Sequence, residues 1–342
     1  MIASQPDWRA PAVCAPIAAL LCACGGAEAP VAGMPPPLST PAPAPTPTSG
    51  LATSGKWQLV WADEFDAPQL DTSRWNVITD CWGGGNRERQ CYTARPENVR
   101  VENGALVLSA REESYTGDGW PAHMAPFQDD PGEQKTQDFT SGKITTKGKA
   151  DWLYGRFEMR ARLPQGQGVW PAFWMLPEEE VYGGWPLSGE IDILEAVNLG
   201  VECETCEDGG ENSILGTLHY GAQVPGNEYT NREISAPQVL DGDWHTYAVI
   251  WEKGRFTWEL DGVPYGSIDS SEWWTAASSD PLAPFDREFH LILNLAVGGN
   301  WPESTALGGV STDGFPKQLE VDWVRVWQCN ADAATGRGCT GS

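Results

Sequence analysis

Period-two alternation of polar and apolar residues recurs along the chain with no helical period to interrupt it, and this limits what residues 56–330 can fold into. Arg156–Leu163 alternates strictly, Phe289, Leu291, Leu293, Leu295 and Val297 share one face, and His245, Tyr247, Val249 and Trp251 share another. Clusters of Gly, Pro, Asn and Asp break the chain between these runs, and no long amphipathic helix offers a crossover between parallel strands. The pattern predicts an all-β sandwich of two antiparallel sheets. The polar, Gly- and Pro-bearing residues 112–140 are expected to form a long loop between two strands, and no internal repeat is present. With 342 residues, 41% of them hydrophobic, the chain can bury a sizeable core.

The ends read differently. Residues 12–24, AVCAPIAALLCAC, are apolar, too short to span a bilayer and placed like the core of a signal peptide. Leu21-Cys22-Ala23-Cys24 resembles a bacterial lipoprotein cleavage box with Cys24 as the lipidated residue, the alternative being an ordinary secretory signal. Residues 25–55 are dominated by Pro, Ala, Thr and Ser, a composition that cannot bury a core and tends to polyproline II. The expected organisation is a signal peptide over 1–24, a semi-rigid tether over 25–55, one folded domain over 56–330 and a tail over 331–342. Export follows, either to the outer membrane as a lipoprotein or to the exterior.

Forty-seven acidic against 22 basic residues give a formal net charge of −25. Such a surface repels nucleic acid and anionic membranes and favours a neutral substrate, although the charge also serves solubility alone. Nine cysteines divide into Cys14, Cys22 and Cys24 near the start and six in close pairs: 81 with 91, 203 with 206, 329 with 339. In an exported domain an even set suggests disulfides whose connectivity sequence does not fix. Cys203-x-x-Cys206 lacks the second pair or the strand–helix context of a zinc or redox motif.

The segment Gly189-Glu190-Ile191-Asp192-Ile193-Leu194-Glu195 carries the chemistry. On a plain strand Glu190 and Asp192 point one way, and Glu195 falls on the opposite, buried face, where a lone carboxylate is costly. A β-bulge at Ile193-Leu194 returns Glu195 to the face of the other two acids. Two carboxyl groups roughly 5–5.5 Å apart are what retaining glycoside hydrolysis requires, and Asp192 between them would tune both. Eighteen tryptophans exceed what core filling needs, and their rings are platforms for the apolar faces of sugars.

The segment resembles the signature of glycoside hydrolase family 16, in the bulged form of its laminarinase-like members. The resemblance extends from about Trp57 to Gln328, through Trp61–Asp66, Gly84–Thr93, Tyr154–Glu158, Gly168–Leu176, Thr217–Tyr220, Asn294–Pro302 and Val321–Val326, with Cys91 where a Tyr is more usual. It implies a β-jelly roll with a concave, concanavalin A-like substrate cleft. It implies Glu190 as nucleophile, Glu195 as general acid/base and Asp192 as their assistant. Trp170 and Trp174, four apart on a strand, are expected to stack on sugars, with Asn86 and Arg89 donating to sugar hydroxyls in the minus subsites, His219 near the acids and Trp301 in the cleft wall; His245 reads as structural. The resemblance also implies a structural Ca²⁺ remote from the cleft, held by the carbonyls of Glu64 and Gly104 and the side chain of Asp322. No catalytic cofactor is expected. The expected activity is endo-hydrolysis of β-1,3-glucan by a monomer. The alternatives are mixed-linkage β-1,3-1,4-glucan or a galactan such as agar as substrate, or a binding-only glucan module.

Overall fold

Two stacked sheets account for almost all regular structure in the computed structural model, which describes residues 53–54, 56–203, 210–304 and 308–340, all within the unit Pro47–Ser342. The signal-peptide and lipid-box readings, most of the tether, and Cys14, Cys22, Cys24 and Cys206 lie outside the described residues. One sheet has seven described strands in the order Asn227–Ser235, Ser213–Gly221, Glu190–Glu195, Val169–Pro177, Phe289–Val297, Lys143–Thr145 and Asn76–Val77. The other has eleven, with Val263–Asp269, Arg255–Leu260, His245–Glu252, Gly155–Arg162, Lys317–Cys329 and Ala105–Asp118 along its main path.

Among the described residues the named strands pair antiparallel except where Gln90–Tyr92 runs parallel to Phe139–Ser141, and an isolated parallel bridge joins Gly221 to Thr275. The core between the sheets follows from the alternation: Phe157 and Met159 from one side, and Phe173, Met175, Ile191, Leu218, Leu291 and Leu293 from the other, are fully buried. Trp251, Phe256 and Trp258 fill the middle, with Trp251 and Phe256 stacked at 5.5 Å. Among the described residues no helix is long and apolar enough to cross a membrane.

Residues 112–140 depart from expectation. Ala105–Asp118 is a single 14-residue strand, and its second half pairs with Gln134–Ser141 as a two-stranded ribbon. Only 119–133 are loop, with one 3₁₀ turn at Ala125–Phe127. Ribbon residues alternate between exposed and half-buried positions, so neither face becomes apolar enough to announce a strand. The ribbon braces the 80–92 loop: Gln137 Nε2 donates to the carbonyls of Cys81 and Glu88, and Cys81 is bonded to Cys91.

The stretch after 330, read as a tail, belongs to the folded unit through residue 340. Cys329 is bonded to Cys339, Lys56 Nζ donates to the Gly338 carbonyl at 2.8 Å, and Lys253 N donates to the Thr335 carbonyl at 2.8 Å. Cys203 is also disulfide-bonded. His245 has the structural role read for it, its Nδ1 2.8 Å from Asp261 Oδ2.

Candidate active site

Register shows how the three acids reach one face. Against Ser213–Gly221, Asp192 pairs with Thr217 and Glu195 with Leu215, three residues advancing on one strand for two on its neighbour. Against Val169–Pro177, Asp192 pairs with Trp174 and Leu194 with Phe173, which isolates Ile193 as the extra residue. The bulge thus falls where the acid spacing requires it. Ile191, Ile193 and Leu194 are buried in the core, while Glu190 and Glu195 are half-buried on the outward face of the seven-stranded sheet.

The bulge has a support that sequence reasoning missed. Trp258, on the strand Arg255–Leu260 of the opposite sheet, reaches across the sandwich and donates its indole N–H to the Asp192 carbonyl at 2.8 Å. That carbonyl sits where the ladder is interrupted, and burial would leave it costly without a donor. Gly216 faces the bulge from the next strand, and a Cβ there would stand 2.1 Å from Trp258 Cδ1. The absent side chain makes room for the indole.

Each of the two glutamates is held by its own tryptophan. Trp170 Nε1 donates to Glu195 Oε1 at 3.1 Å, and Trp185 Nε1 donates to Glu190 Oε2 at 2.8 Å. His219 Nε2 lies 3.3 Å from Asp192 Oδ2 and 3.7 Å from Glu190 Oε1, and no hydrogen bond aligned with Asp192 Oδ2 is formed. Glu190, Asp192 and His219 also form the one cluster of metal-type ligands among the described residues, their atoms within 4.8 Å.

Burial, and then the neighbouring Asp192, push the carboxyls of Glu190 and Glu195 up to about 8. Asp192, 2% exposed, is raised well above the usual carboxylate range by burial alone. The site therefore holds protons into neutral pH, as a general acid must. Both glutamates stand at the same level, so acidity does not distinguish them.

The remaining sequence-expected residues divide. Trp174 Nε1 donates to Asn294 Oδ1 at 2.7 Å, and Lys143 Nζ sits 4.8 Å from its ring centroid. Trp301, in the short helix Asn300–Ser304, packs edge-on against Trp170 with centroids 5.2 Å apart. Asn86 and Arg89 are on this side too, but their donors are engaged within the protein. Asn86 Nδ2 donates to Glu88 Oε1 at 3.3 Å, and Arg89 Nε donates to Glu303 Oε1 at 2.7 Å, with Nη2 paired to Oε2. Glu88 and Asn294 stood inside motifs that carried the resemblance without being singled out, and Trp185 lay outside those motifs; their places around the site needed the fold. Two cavities of about 360 and 390 Å³ lie beside Arg89 and beside Leu187, and neither is lined by the acids.

The expected calcium ligands converge only in part. Asp322 lies on the strand Lys317–Cys329 between its pairing with Leu106, through Val321, and with Asp63, through Val324. This brings the ends that carry Gly104 and Glu64 to either side of it. One oxygen of Asp322, Oδ2, accepts from Arg160 Nη1 at 2.5 Å, and the Glu64 carboxylate is held by Arg325 at 2.8 Å through both oxygens.

The sequence profile of glycosyl hydrolases family 16 matches residues 86–325. The chain belongs to this family. A glucan endo-1,3-beta-glucosidase of Cryptopygus antarcticus is 40% identical over 281 residues, 81% of this chain and 94% of that protein. Glucan endo-1,3-beta-glucosidase A1 of Niallia circulans is 39% identical over 79% of this chain but only 38% of its own length. Among solved structures, the laminarinase from Rhodothermus marinus superposes with a TM-score of 0.64 at 38% identity, covering 79% of this chain and 97% of that one. The protein is thus a glycoside hydrolase with the jelly-roll fold of family 16.

Proposed function

We propose that this family 16 enzyme cleaves internal β-1,3 linkages of glucan with retention of configuration. The observation that carries this reading is the bulge at Ile193, which puts Glu190 and Glu195 on one face with Asp192 between them. Glu190 attacks the anomeric carbon from below and forms a glycosyl–enzyme ester while Glu195 gives its proton to the departing oxygen. Glu195 then takes a proton from water, which attacks the same carbon and releases Glu190. Asp192, its own carboxyl raised by burial, stands between the two glutamates and as a like-charged neighbour raises both, so that the three acids do not all carry charge before substrate binds. Trp170 and Trp174 offer the sugar rings a wall beside the acids, and retention of all three acids separates this chain from a binding-only module.

Reducing-end release across a panel of pure polysaccharides tests the substrate. Laminarin should be hydrolysed at least as fast as lichenan and cellulose hardly at all, with Glu190→Ala inactive on each. A strong preference for lichenan or agar would overturn the substrate while leaving the family untouched.

Three further elements belong to this reading. The protein acts as a monomer. Cys24 is lipidated and residues 25–55 tether the enzyme to a bacterial outer membrane, the alternative being free secretion. A structural Ca²⁺, held by the carbonyls of Glu64 and Gly104 and by Asp322, would fasten three chain segments; it would share the Asp322 carboxylate with Arg160 and take no part in catalysis.

A further inference from the structure

Trp185, Tyr229 and Trp274 are the Trp and Tyr side chains that stand among the exposed large hydrophobics of the described residues, 43, 50 and 42% exposed. All three stand at one lip of the seven-stranded sheet. Ring centroids step from Trp185 to His219 in 6.0 Å and from His219 to Tyr229 in 5.8 Å. His219 and Tyr229 are register partners on adjacent strands, so they share the face that carries the acids.

Trp274 is brought to the same lip by a clip of backbone. Gly221 N donates to the Trp274 carbonyl at 3.0 Å, Ala276 N donates to the Gly221 carbonyl at 2.9 Å, and Thr275 Oγ1 donates to the Leu187 carbonyl at 2.8 Å. A Cβ at Gly221, whose φ is +108°, would meet the backbone of Gly226 and Glu228 at 3.0 and 3.2 Å and Trp274 Cζ2 at 3.6 Å, which places the indole against this end of the strand. The cavity of about 390 Å³ lined by Leu187, Ala222, Gln223, Ala276 and Ala277 opens beside it.

Core filling does not explain these rings, since each leaves about half its surface in water. The two indoles have their polar edges fixed: Trp274 Nε1 donates to Glu228 Oε2 at 3.0 Å, as Trp185 does to Glu190. A ring held by its edge presents its face without further loss of freedom, which is the arrangement that stacks on the C–H face of a pyranose. The lip is continuous with the catalytic cluster through Trp185 and His219, so a polysaccharide chain lying over Glu190 has this surface next to it.

We propose that Tyr229 and Trp274 form an accessory subsite that binds glucosyl residues of the polysaccharide beyond those touching the acids, so that long chains are held more tightly than short ones. This rests on the reading of the protein as a β-glucanase.

Kinetics of the full chain on laminarin and on a short aryl β-glycoside test it. Tyr229→Ala combined with Trp274→Ala should raise KM for laminarin about tenfold and leave kcat within about twofold. Both parameters on the aryl glycoside should stay within about twofold, and Trp274→Phe should keep most of the polymer affinity. A laminarin KM that stays put, or an equal loss on both substrates, would overturn the subsite. So would a shift from dimer to monomer on size exclusion with KM unchanged, which would make the lip a contact between copies. If the wild type ignores laminarin, the function reading fails, and the same comparison is made on the polymer it cleaves best. If it cleaves none, retardation of wild type and double variant in gels containing laminarin or lichenan decides, equal retardation or none counting against the subsite.

Discussion

Glu190 and Glu195 look interchangeable in spacing and in acidity, yet their reactions separate them. Glu195→Ala should keep appreciable glycosylation of an aryl glycoside with a good leaving group and lose nearly all activity on polysaccharide, because only the poor leaving group needs the proton. Added azide should then give the β-glycosyl azide, whereas with Glu190→Ala it can only replace the nucleophile and give the α-product; the reverse pairing would exchange the roles. The clustering also fixes a pH dependence. Glu195 must be protonated to act, so activity falls as pH rises through about 8. Removing the like-charged neighbour in Asp192→Asn eases its ionisation, and the alkaline limb should move to lower pH. Stability follows the same sign: a carboxyl raised to about 8 in the fold, but ordinary when unfolded, loses its contribution progressively as pH rises from about 4.5 to 8. Glu190→Gln should therefore flatten the fall of Tm over that interval. At this scale the acids were legible because three carboxylates on six residues are hard to place without a bulge. Trp185 and Trp258 were not, since an indole five residues away, or on another sheet, has no sequence signal that ties it to a particular carboxylate or carbonyl.

Among elements, the strand Glu190–Glu195 depends on a partner from the opposite sheet. Trp258→Phe keeps most of the buried ring and removes the donor to the Asp192 carbonyl, at a cost of about 1–3 kcal/mol. Polysaccharide turnover should fall more than aryl glycoside turnover, because Glu195 lies beyond the bulge that the bond supports; equal losses would mean that Trp258 serves stability alone. Gly216→Ala forces a methyl into the same indole and should destabilise by about 1–3 kcal/mol, read from the urea midpoint. Strands buried on one face were legible from alternation, as Gly155–Arg162 and Phe289–Val297 show. The ribbon of Ala105–Asp118 and Gln134–Ser141 was not, because its pairing is satisfied backbone to backbone while both of its faces stay polar.

For the whole molecule, the sandwich, the ribbon and the closed Cys329–Cys339 loop make one unit that presents the three acids and their tryptophans on one face, and the full chain carries a formal net charge of −25. If Ca²⁺ fastens the ends around Asp322, Tm should rise on adding Ca²⁺ and fall with a chelator, and Asp322→Ala should remove the difference; a Tm indifferent to both would dismiss the ion. Cys24→Ser should release the enzyme from membranes without changing its activity, and unchanged fractionation would dismiss the anchor. The most direct measurement is proton NMR of a laminarin digest during its first minutes, before anomers equilibrate. New reducing ends should appear first as the β-anomer, on fragments of intermediate length cut from within the chain. First appearance of the α-anomer would mean inversion and a different use of Glu190, and the absence of new reducing ends would refute glucan hydrolysis itself.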